Sequence, residues 1–131
     1  MQAKVIETIE GHPIVHNRMV PAMPLVSPRS IISCLYRFDN GEESVLIGSA
    51  RGNTDLVEKH KALIGEDVIA DLDINMVKFW PKYDASGEEV GTNIVQVIKT
   101  NPKGDLPDLI KSRLGEFQTE AIIKLIEKLK S

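Results

Sequence analysis

A single cysteine, Cys34, stands among the 131 residues, so the chain cannot close an internal disulfide. A reducing cytosol is the simplest compartment for it. An excess of one charge sign is also missing: the formal net charge is −3, with acids and bases mixed throughout. That leaves no electrostatic footprint for nucleic acid. No apolar run approaches the length of a membrane span. Met1 to Glu10 hold three charges and no apolar stretch, so they do not read as a signal peptide. Internal repeats and low-complexity segments are absent, and the length suits one domain around one core.

What is present begins, for the argument, at the end. Leu106, Ile110, Leu114, Phe117, Ala121, Ile122, Leu125 and Leu129 recur at steps of three and four. That is the period of one helix face. Asp105, Pro107 and Asp108 suit a first turn, and Lys128 and Lys130 suit a last one. The spacing predicts an amphipathic helix over Pro107 to Lys130, roughly 36 Å long, which needs an apolar surface to lie on.

The chain before it reads as strands and turns. Residues 3–9, 14–20, 30–38, 43–50 and 90–100 are the expected strands, with one or two more in 68–80. Asn40-Gly41 between two apolar runs is a strong hairpin signal. The alternation switches near Asn75, which predicts a bulge. Residues 51–66 hold either a short helix from Asn53 or Thr54 to Ile64, ended by Gly65, or an irregular loop. Residues 21–28 are too rich in proline for strand or helix, yet Met23, Leu25 and Val26 make that loop unusually apolar. An antiparallel meander followed by one long helix is an α+β layout, with the helix over one sheet face. A curved sheet wrapped around a helix leaves a cavity, the usual place for a small molecule.

Other residues read plainly. His12 and His16 flank Pro13 in extended chain, about 13 Å apart, too far to share a metal. Both are expected at the surface. Cys34 has no neighbouring base and reads as a buried small hydrophobe. Glu66, Asp67, Asp71 and Asp73 lack the glycine-centred loop of a calcium site and read as a solvated charge run. Gly115 costs its helix about 1 kcal/mol relative to alanine. It marks either a close approach by loop 21–28 or a tolerated surface glycine. No acid, base and nucleophile converge, so neither a catalytic residue nor a cofactor is expected.

Three motifs carry a resemblance. Ser27-Pro28-Arg29, leading directly into a strand, is similar to the proline-arginine entry of a START domain's sixth strand. START domains are the lipid-transfer family related to steroidogenic acute regulatory protein. Lys103-Gly104-Asp105-Leu106-Pro107 resembles that family's glycine-x-leucine-proline junction into its last helix, and Val45 to Ala50 fits the strand between. The resemblance implies a helix-grip fold, START/Bet v 1-like: a curved antiparallel sheet around a long C-terminal helix. Residues 1–131 would form a single truncated domain without the family's N-terminal helix, first three strands and two short helices. The family pairs its last strand with its first, so residues 90–100 would here form an open edge.

The resemblance also implies site residues. Strand positions facing the cavity would be Asn17, Met19, Ser33, Leu35, Leu46 and Gly48. The helix would add Leu114, Phe117, Gln118 and Ile122, and the gate would be Met23, Pro24, Leu25 and Val26. Asn17 and Leu35 stand where members often carry an acid and a basic or amide group, so the charge pair of the sterol binders is missing. Asp73 is either a third polar cavity position or a solvated residue beside Asp71. The implied function is non-catalytic binding or transfer of a lipid or other hydrophobic ligand, with transient membrane contact. The alternative is an interaction module forming a homodimer through the edge at 90–100.

Overall fold

A computed structural model describes residues 2–104 and 106–130, with the backbone alone at 114, 117, 118, 121, 122, 125 and 129. Strands β1 (Gln2–Ile9) and β2 (His12–Met19) form a hairpin closed by Glu10 and Gly11, both at positive φ. After the loop at 20–28, β3 (Arg29–Asp39) returns beside β2. The Asn40 side-chain oxygen then accepts the amides of Glu42 and Glu43, which tightens the turn into β4 (Ser44–Ser49). Two short helices follow, α1 (Thr54–Lys59) and α2 (Lys61–Ile64), then β5 (Val68–Ile69), β6 (Asp71–Tyr83), β7 (Glu89–Asn101) and α3 (Asp108–Lys130). The strands form one sheet in the order β1-β2-β3-β4-β6-β7, antiparallel throughout, with β5 parallel beside the start of β3.

Register shows which residues share a face, because side chains alternate along each strand. Ile14, His16 and Arg18 of β2 stand opposite Cys34, Ile32 and Ser30 of β3. The core lies on that face: Ile14, Ile32 and Ile64 are buried, with Leu56, Val57 and Ile69 packed against them. Helices α1 and α2 thus cover the β2–β3 corner. Glu7 ties them to β1 by accepting from Lys59 Nζ at 2.6 Å and meeting His60 Nε2 at 2.8 Å. Asn53 precedes α1 but does not cap it. Its amide donates to the carbonyls of Ile32 and Ser49, which anchors the helix entry to the sheet. The bulge in β6 falls between Leu72 and Ile74, leaving Asp73 as the extra residue, close to the face switch near Asn75.

The helix-grip expectation is overturned. The molecule is mostly antiparallel sheet, about half its residues being strand, and the sheet does not clasp a long C-terminal helix. The helices that pack on it, α1 and α2, are only six and four residues long. Among the described residues, α3 makes no extensive contact with any strand. Among its described side chains, only Ile110 and Ile126 are even half-buried. A Cβ on Gly115 would meet nothing within 4 Å, so the loop makes no close approach there. The physical reason is that an apolar stripe says which side of a helix avoids water, not what covers it.

Candidate ligand site

The loop at 20–28 forms one wall of an apolar pocket of about 310 Å³. Met19 at the end of β2 and Met23 and Val26 of the loop face Pro102, Leu106 and Ile110 across it. Among the described residues, Arg29 is its only charged lining residue. Leu106 is buried, so the entry to α3 is fixed here.

Arg29 is only 3 % exposed. Its Nε donates to the Pro102 carbonyl at 3.4 Å, Nη2 to the Lys103 carbonyl at 3.0 Å, and Nη1 to the Ser27 carbonyl. The turn at Lys103-Gly104 takes positive φ at both residues. A Cβ on Gly104 would lie 3.0 Å from Arg29 Nη2, so glycine makes room for the guanidinium. Arg29 therefore pins the β7–α3 connection against the start of β3.

Behind the pocket runs a buried polar chain. Arg18 donates twice to Asp67, from Nε at 2.7 Å and Nη2 at 3.0 Å. The Ser30 hydroxyl donates to Asp67 Oδ2 at 2.7 Å and meets His16 Nε2 at 2.9 Å. With the hydroxyl proton given to Asp67, His16 Nε2 must be the donor in its bond to Ser30. Serine, histidine and acid thus meet in an order unsuited to nucleophilic catalysis. The serine is wholly buried and bonded directly to the carboxylate. The Arg18 guanidinium holds the Asp67 carboxyl below its usual range, helped by the Ser30 hydroxyl against the effect of burial. Burial pushes the His16 imidazole down, against the pull of Asp67. His16 and Asp67 are therefore interior, correcting the surface reading of that histidine and the solvated reading of that acid, whereas Glu66 is exposed. Cys34 is half-buried beside the core rather than enclosed in it.

A wider cleft of about 510 Å³ lies between β6 and the entry to α1, lined by Ile32, Asn53, Val57, Asp73 and Lys103 among others. Its charges are mutually paired: Asp73 with Arg51 at 3.3 Å and Lys99 at 3.2 Å, and Asp71 with Lys103 at 2.8 Å. Those pairs leave a bound molecule little to recognise, so the smaller apolar pocket is the better candidate. Among the described residues, no three His, Cys, Asp or Glu side chains gather as a metal site.

The expected strand residues share one face but not one pocket. Register puts Asn17, Met19, Ser33, Leu35, Leu46 and Gly48 on the sheet face opposite Ile14 and Ile32. Of these, only Met19 lines the apolar pocket. Ser33 and Gly48 are buried, and Asn17, Leu35 and Leu46 half-buried. The bulge carries Asp73 to the wider cleft. Within the expected gate, Met23 and Val26 line the pocket, whereas Pro24 and Leu25 are exposed at the loop tip. The side chains of Leu114, Phe117, Gln118 and Ile122 lie outside the described residues. Arg29 was not among the expected contacts. A lone arginine between an apolar loop and a strand was its one signal. Among the described residues, no helix is long and apolar enough to cross a membrane. No family model and no curated protein matches the chain.

Proposed function

We propose that the protein binds a hydrophobic small molecule without chemical change, in the pocket between loop 20–28 and the first turn of α3. The observation that carries this reading is the wall of that pocket, apolar among the described residues apart from Arg29. Its volume, about 310 Å³, falls at the lower end of the size of small-molecule sites. A single acyl chain suits it better than a bulky ring system. The resemblance of Ser27-Pro28-Arg29 and the Gly104–Pro107 junction to START motifs supports the same class of ligand. Leu25, fully exposed beside the pocket, is the residue placed to touch a membrane surface during transfer. A cytosolic setting belongs to this proposal.

Native mass spectrometry of protein purified from cells, and again after incubation with dodecanol and dodecanoate, tests it. A bound apolar molecule is expected, with occupancy cut severalfold in a Met23→Ser, Val26→Ser double variant. Wild-type protein that retains no lipid from cells and takes up neither additive overturns the reading.

A second reading, pairing with another chain, is favoured by β7. It ends the sheet, and Val90, Ile94, Val95 and Val97 are all exposed along it. The other edge, β1, is interrupted by a register shift between Val5 and Glu7 and carries Lys4 and Glu7. Charges and bulges of that kind discourage pairing. β7 has an uninterrupted register from Gly91 to Lys99, with Lys99 as its only charge there.

A further inference from the structure

We propose that the apolar pocket takes a single-chain amphiphile ending in an anion, a carboxylate or a phosphate, with the head group held by Arg29. The inference rests on the binding reading above and adds the chemistry of the ligand's polar end.

Arg18, Arg37, Arg51 and Arg113 each lie within 4 Å of a carboxylate. Arg29, the most buried arginine among the described residues, has no such partner among them. Three carbonyl oxygens accept from it, but none carries a full negative charge. A buried cation is costly unless paired, and carbonyl dipoles compensate only part of that cost. Each of its three nitrogens donates to one carbonyl, and a guanidinium has five N–H donors in a planar fork, so hydrogen-bonding capacity remains for a second acceptor.

Arg29 lines a pocket whose other described lining residues are apolar, so the one cationic side chain at hand for a bound molecule is Arg29. Asp67, the nearest acid in the polar chain behind, is engaged by Arg18 and Ser30. Asp71 is engaged by Lys103. Among the described residues, no acid lines the pocket. A neutral ligand would leave the guanidinium as it stands. An anionic head would supply the missing countercharge inside a low-dielectric wall, where a charge-assisted hydrogen bond is strong. Carboxylate and phosphate share that chemistry, and both match the guanidinium fork.

Calorimetric titration of the wild-type protein with dodecanoate, dodecyl phosphate, dodecanol and dodecyltrimethylammonium, all below their micelle concentrations, separates the outcomes. At least one anion should bind on the order of tenfold more tightly than dodecanol, and the trimethylammonium compound more weakly than either. The tighter of the two anions identifies the head group. Equal affinity for dodecanol and both anions overturns the assignment to Arg29 while leaving hydrophobic binding intact. Failure of all four to bind overturns both. In Arg29→Gln, provided it folds and takes up dodecanol, the preference for anion over alcohol should disappear. Persistence of the preference in that variant also overturns the assignment. The head-group comparison needs no substitution, so the proposal remains falsifiable if the variant does not fold.

Discussion

At the scale of single residues, the polar chain through His16, Ser30, Asp67 and Arg18 makes stability respond to acid. Burial lowers the folded-state value for His16, so the unfolded chain takes up that proton first as pH falls through about 6.5. Stability therefore declines below that range. The Asp67 contribution has the usual carboxylate sign: present above the ordinary value and lost as pH falls through the lowered folded one. Wild-type protein should show a lower urea midpoint at about pH 5.5 than at about pH 7.5. His16→Gln keeps a donor without a titrating ring and should show a smaller drop. Equal drops in the two proteins would exclude His16 as the responding group.

At the scale of elements, the loop at 20–28 combines an inward wall with an outward tip. Met23 and Val26 line the pocket, while Leu25 is fully exposed and sits at φ 71°. A side chain in that left-handed region costs about 1–2 kcal/mol, and nothing in the described contacts repays it by burial. Leu25→Gly should therefore stabilise the fold by up to about 1 kcal/mol, after allowing for glycine's greater freedom when unfolded. If Leu25 touches membranes, the same change should slow transfer of dodecanoate to lipid vesicles. A higher melting temperature with unchanged transfer would separate the strain from the proposed role.

At the scale of the whole molecule, the sheet has two ends and treats them differently. β1 is broken by its bulge, whereas β7 presents exposed valines and an uninterrupted stretch of backbone. A second copy paired antiparallel along β7 would bring the acidic end near Glu89 towards the basic end near Lys99. Val95→Glu tests this cleanly, because Val95 stands opposite Lys78 and the new acid is tolerated within the hairpin. Sedimentation at low micromolar concentration should give a dimer for the wild type and a monomer for the variant. A wild-type monomer would leave the edge unpaired and remove the second reading.

The sequence by itself determined most of the local structure: the strands, the Asn40-Gly41 turn and the bulge near Asn75, while it left residues 51–66 open between helix and loop. Those features follow from side-chain period and turn chemistry, which act over a few residues. Tertiary structure decided what the local pattern left free. The stripe in 107–130 identified an apolar helix face, but α1 and α2 cover the sheet's core face and the sheet does not grip α3. Asp67 looked like one of several solvated acids until β5 brought it beside Arg18 and Ser30. Arg29 gains its meaning only when the chain returns from β7 and turns the carbonyls of Pro102 and Lys103 towards it. Burial and countercharge are set by residues far apart in the chain, and a local period carries no information about them.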